Sequence, residues 1–401
     1  MNQPLFLHIV ERLEGFLGKL PASIQKPVLH ELTPLKELFL KQRPPRLVLT
    51  GSHKLPLQEV VATLFSAAQP GDLRDVLMEL HRWQNMTVGE RGSIELLDAR
   101  GADSGALGKI EEELARQSAD IFLHIADGDS ARPVLTRDLE TLAALARVNR
   151  GADAPPKVIG LLLTASHPHG SEHNGSGSSA RPSALPKLQT ALTEKSGLGE
   201  NILHVLEMEL PAIGATTAME SPAATRLMSL LSQELPNEAR VEMIRISRDR
   251  QAQTQIAQVL VKSTSAICAA VGAQPIPLAD LPILTTLQLV MVSGIMYISG
   301  RERSLRAATE FVGALGINVG AGMVLREGAR AVLKFFPGWG NVVCGMVAAA
   351  GTYALGRAAI AYFLEGVTLK DARRTYLASR KKKRAQLPRR ANLSEESVKQ
   401  G

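Results

Sequence analysis

The stretch RLVLTGSHKLPLQEVVATLF, running from Arg46 to Phe65, decides how this chain is read. It opens with an apolar run at 47–49 and turns at Thr50-Gly51. After a few polar residues, Leu57, Val60, Val61, Leu64 and Phe65 recur at helical spacing. Strand, glycine turn and helix are the frame of a phosphate-binding loop. The residues inside the frame differ from that loop. The pattern G-x-x-x-x-G-K-[ST], started at Gly51, places Pro56 at the second glycine, Leu57 at the lysine and Gln58 at the hydroxyl. Proline has no N–H to offer a phosphate. Leucine cannot neutralise one, and glutamine stands where a magnesium-ligating hydroxyl is needed. Gly51 and Ser52 remain as candidate nucleotide contacts.

Outward from this stretch, residues 46–234 alternate short apolar runs with helical patterns. The runs lie at 47–49, 94–97, 121–126, 158–163 and 202–206. The helical patterns lie at 57–67, 107–117, 138–148, 185–192 and 223–231. The alternation predicts an α/β domain over 44–236, a mainly parallel sheet with flanking helices. Ligands of such sheets sit at the carboxyl ends of the strands.

The second run ends in Asp98-Ala99-Arg100-Gly101, a D-x-x-G motif inside SIELLDARG, 93–101. With the glycine turn before it, this order resembles a degenerate member of the Era-like (TRAFAC) P-loop GTPases. The resemblance implies that Asp98 contacts magnesium through water and that Gly101 senses the γ-phosphate of GTP. It implies a switch threonine at Thr87. Residues 121–127, IFLHIAD, are similar to the family's next strand with its closing Asp. The base-reading Asn-Lys-x-Asp is replaced by Leu163-Thr164-Ala165-Ser166-His167, and the Ser-Ala base loop, expected near Val205-Leu206-Glu207, is not matched. Taken on its residues alone, Asp98 is also a turn-capping Asp. The Gly/Ser/His-rich stretch 166–183 reads as a flexible loop, so His167, His169 and His173 offer no preformed metal geometry.

Before this domain, 1–43 reads as an amphipathic helical hairpin with no signal-peptide pattern. After it, Pro236 to Val271 reads as one long helix, and 237–379 as an all-α domain. The entry PIPLADLPI, 275–283, leading into TTLQLVMVSGIMYISG, resembles the bacterial YcjF-like helical domain of unknown function, which follows Era-like domains. Two charge-free segments, 281–300 and 335–356, are long enough to cross a bilayer. The loop between them, 301–334, carries six basic and three acidic groups, and two spans would put it on the wrong side of the membrane. Packed helices are therefore expected, with Gly313, Gly316, Gly320 and Gly322 allowing close approach. Two cysteines, Cys268 and Cys344, in apolar sequence exclude a disulfide framework.

The net charge of +7 is localised. Residues 370–401 hold eleven basic and three acidic side chains, a balance of +8, which leaves the first 369 residues at −1. The tail, 380–401, starts with Arg380, Lys381, Lys382, Lys383 and Arg384. Beside an apolar helical domain these five suit anionic lipid. Nucleic acid is the second partner such a run serves, and a protein partner or homo-oligomer stays open. Three readings follow. The first is a cytoplasmic, membrane-peripheral pseudo-GTPase, a scaffold or regulator with little GTP hydrolysis. The second is an active GTPase with atypical contacts to GTP and magnesium. The third is a basic nucleic-acid adaptor. An integral membrane protein is the alternative localisation.

Overall fold

The computed structural model describes residues 25–26, 29–33, 41–65, 81–88, 92–149, 156–165, 184–195, 197–210, 222–273, 280–315 and 339–385. The chain divides into two compact units, Gln42–Asp249 and Arg250–Gly401 with Met1–Lys41.

In the first unit the strands are β1 (Arg46–Gly51), β2 (Gln84–Val88), β3 (Gly92–Asp98), β4 (Ile121–Asp127), β5 (Lys157–Ala165) and β6 (Ile202–Leu210). They form one six-stranded sheet in the order β2-β3-β1-β4-β5-β6. Only β2 runs antiparallel, paired to β3. The helices are α1 (Leu57–Leu64), α2 (Ser104–Arg116), α3 (Thr136–Val148), α4 (Leu185–Thr190), α5 (Pro222–Glu234) and α6 (Asn237–Ser247). Both faces of the sheet are covered, so the inner strands are mainly apolar. Leu47 and Leu49 face a core shared with Val60 and Leu64 of α1, Leu227 of α5 and Met243 of α6. Val48, pointing the other way, meets the core of Ile110 on α2, Leu142 on α3 and Leu188 on α4. The edge strand β2 was not expected, because only Met86 and Val88 of its five residues are buried.

The amino-terminal edge of the sheet is clamped. Arg43 donates to both carboxylate oxygens of Asp120, at 2.8 and 2.6 Å, and its N–H donates to the Glu238 carbonyl at 3.1 Å. The buried Glu242 carboxylate accepts from Gln42, from the Ser93 N–H and from Arg245. Residues entering and leaving the unit are thus tied together.

The expected long helix from 236 to 271 is two helices. Arg248 adopts a left-handed conformation, φ 56°, which ends α6 before α7 (Arg250–Gly272) begins. The α/β unit therefore includes α6, which the sequence had assigned to the helical part.

The second unit contains α7, α8 (Asp280–Ile298), α9 (Leu305–Ala314), α10 (Trp339–Phe363) and α11 (Leu369–Ala385). Among the described residues the close approaches fall at Gly345 and Gly356 rather than at Gly313. A Cβ at Gly345 would lie 2.6 Å from the Ala269 carbonyl, and one at Gly356 would lie 2.4 Å from Val261, both on α7. Gly313 has open space around it, and Gly316, Gly320 and Gly322 lie outside the described residues. Gln288 of α8 donates to the buried Thr352 hydroxyl of α10 at 2.9 Å. Both cysteines are free, and burial pushes the Cys268 thiol up to about 12. Among the described residues one stretch, Cys344–Phe363, is long and apolar enough to cross a membrane, while the apolar part of α8, Leu284–Ile298, is shorter.

Candidate functional site

The strand order reverses at β1, which lies between β3 and β4. The crevice at the carboxyl ends of these strands is where a doubly wound sheet binds ligands. Gly51, Ser52, Asp98, Gly101 and Asp127 all belong to strand ends or loops at this place.

The loop after β1 is folded down onto its neighbours. Gly51 has φ +96°, and a Cβ there would lie 2.1 Å from the Ile125 carbonyl oxygen, so the position admits only glycine. The Ser52 N–H donates to the same carbonyl at 2.8 Å, which ties the loop to β4. In a phosphate-binding loop successive N–H groups face the ligand; here this one is spent on the sheet. Helix α1 then starts after Pro56 with no side-chain cap and with Glu59 in its first turn. That carboxylate takes the place an anion would favour at the positive end of the helix dipole.

The loop after β3 carries the centre of the site. Asp98 accepts from Arg100 through Nε at 2.9 Å and Nη2 at 3.0 Å, and from the Arg100 N–H at 3.1 Å. The remaining guanidinium nitrogen, Nη1, donates to the Leu55 carbonyl at 2.9 Å, across in the β1 loop. Asp98 and Arg100 are each 8% exposed, so this forked pair is largely removed from water. Both oxygens of the carboxylate read from sequence as the magnesium contact are thus engaged by the chain's own cation. Gly101, φ +64°, faces the His53 ring, which lies 2.7 Å from where its Cβ would be. His81 Nδ1 lies 3.2 Å from the Asp98 carbonyl oxygen. Partial burial raises the Asp138 carboxyl above its usual range, and His53 and Arg137 oppose the shift.

Beneath the loop, His124 of β4 is 1% exposed, and its Nδ1 is 3.1 Å from the Thr50 hydroxyl of β1. Loss of hydration pushes this imidazole down to about 4, so it is neutral near pH 7. At the end of β4, Asp127 accepts from the N–H of Asp129, and Asp129 accepts from the Ala165 N–H. These two carboxylates close turns.

Thr87 is not part of the crevice. It sits in β2 opposite Ser93, five residues along β3 from Asp98, or about 17 Å at strand rise. Val205, Leu206 and Glu207 lie inside β6 rather than in a base-reading loop. His167, His169 and His173 fall outside the described residues, and no cluster of three or more metal-ligating side chains occurs among those described. Arg100 and His53 were missed. The available signal was a basic residue two positions after Asp98, close enough to fold back on it.

The basic run belongs to α11, which extends to Ala385 and so passes the expected start of the tail. Arg380 and Lys381 are exposed, and Lys382, Lys383 and Arg384 continue the helix.

No family model and no curated protein matches this chain.

Proposed function

We propose that the α/β unit is a degenerate Era-like GTPase domain whose nucleotide crevice is closed by an internal cation. In this reading the protein is a scaffold or regulator at the cytoplasmic face of a membrane, with a YcjF-like helical unit following it in sequence. The observation that carries the proposal is Arg100, whose guanidinium joins Asp98 to the Leu55 carbonyl. The crevice then meets a ligand with a carbonyl and a neutralised carboxylate, where phosphate needs N–H donors and a lysine. Pro56 and Leu57 remove the remaining phosphate contacts.

Calorimetric titration of GTP or ATP, with magnesium, into the full chain tests this. The expected result is no binding; micromolar affinity would overturn it. A second reading, a GTPase with atypical contacts, is favoured by the position of Asp98 and Gly101 at the reversal of strand order. There the nucleotide must displace Arg100, so Arg100→Ala would raise affinity for GTP with magnesium. In the proposed reading Arg100→Ala gains no nucleotide binding.

A further inference from the structure

We propose that the outer face of α11 docks on an anionic lipid bilayer, with Leu377 entering the acyl boundary inside a ring of cationic side chains. This rests on the membrane reading above and adds the face, the anchor and the lipid class.

Helix α11 buries one side: Ala372 is inaccessible and Tyr376 is 8% exposed. The opposite side carries Lys370, Arg373, Arg374, Leu377, Arg380 and Lys381, all exposed. At about 100° per residue these six fall within an arc of roughly 120° centred near Leu377. Leu377 is 54% exposed, more than any other large apolar side chain among the described residues. The helix holds one carboxylate, Asp371, which pairs with Arg374 and accepts from the Thr368 hydroxyl. Lys370, Arg373, Arg380 and Lys381 form no ion pair with another described residue.

Charge complementarity restricts the occupant to a polyanion, and the apolar centre selects among polyanions. Nucleic acid recruits such surfaces through phosphate contacts and aromatic stacking. Here the helix's aromatic, Tyr376, faces inward and the exposed centre is a leucine. A basic helix with an apolar anchor fits the headgroup–acyl boundary of a bilayer.

The experiment is flotation of the full chain with vesicles of phosphatidylcholine alone or mixed with phosphatidylglycerol. Binding is expected only to the mixed vesicles, and it should fade in high salt. Leu377→Ala should lower partitioning about tenfold, as expected for losing a buried leucine. The triple variant Arg373→Gln, Arg380→Gln, Lys381→Gln should lower it about a hundredfold. Val347→Ala, an exposed apolar position on α10, should leave it unchanged. All are surface changes, and unaltered thermal unfolding checks the fold. No binding of the wild-type chain to either vesicle would sink the membrane reading itself. Binding of both α11 variants at wild-type strength would leave that reading standing and overturn this one. An unchanged Leu377→Ala alone would refute the apolar anchor. Tighter binding to a short RNA duplex than to mixed vesicles, lost in the triple variant, would assign the face to nucleic acid instead.

Discussion

Arg100 touches two loops that would otherwise only pass near each other. Its guanidinium is matched on one edge by the Asp98 carboxylate and on the other by the Leu55 carbonyl. Removing the cation alone strands a buried negative charge. Arg100→Met is therefore expected to lower the unfolding free energy by about 3–5 kcal/mol, read by chemical denaturation. Combining it with Asp98→Asn should recover much of the loss, because the charge goes with its partner. A loss near zero for the single variant would mean the pair is open to water in solution. His124 provides a separate test. Its folded pKa, about 4, lies below the unfolded value near 6.5, so the unfolded chain binds the proton first as pH falls. Stability is then full above pH 6.5 and declines toward pH 4, by about 2 kcal/mol at pH 5 from this group. Comparing denaturation at pH 7 and pH 5 checks the size, and His124→Phe should remove this part of the pH dependence.

Between elements, spacing is set by a few small residues. Helices α7 and α10 approach so closely that Gly345 faces the Ala269 carbonyl directly. A backbone oxygen cannot rotate away as a side chain can. Gly345→Ala is accordingly expected to cost about 1–3 kcal/mol through overpacking. Gly313 on α9 meets nothing within 4 Å, so Gly313→Ala should stabilise by about 0.5–1 kcal/mol, since alanine loses less entropy in a helix. Melting temperatures of the two variants should move in opposite directions; a rise in both would show that the α7–α10 contact is looser than described, and a fall in both that Gly313 is more confined than described. The break between α6 and α7 follows the same logic. Both flanking sequences favour helix, and one residue, Arg248, carries the left-handed turn that separates them.

On the scale of the whole molecule, the question is whether the helical unit packs or spans. The stretch Cys344–Phe363 has the length to cross, yet half of it is buried within the protein and Arg357 lies inside it. Thr352 is buried and accepts from Gln288, so polar groups of two helices satisfy each other. Arg301 lies 5.0 Å from the Phe363 ring centre and Arg303 lies 4.1 Å from that of Tyr297. Cationic groups of the 301–334 segment are thereby engaged by aromatic faces of the same unit. The expected outcome is release of the protein from membranes by alkaline carbonate. Retention, together with labelling of a cysteine placed at Ser304 by an impermeant reagent outside intact cells, would show that the helices cross.

The sequence by itself determined the five parallel strands of the sheet. A strand covered on both faces must be mainly apolar, and that requirement is written locally in residues 47–49, 121–126 and 158–163, with His124 the one polar side chain among them. It also determined the missing phosphate contacts, since Pro56 and Leu57 lack the needed groups in any fold. It placed Asp98 and Gly51 at the carboxyl edge, because order and spacing of the runs carry that information. Only the tertiary structure decided what Asp98 meets. Its partner depends on a loop carbonyl 45 residues from Arg100, brought close by β1 and β3 lying side by side. The marginal strand β2 gained its place from pairing with β3, which five half-polar residues do not announce. The close glycines and the aromatic faces over Arg301 and Arg303 are likewise contacts between distant segments, and periodicity within one segment does not encode them.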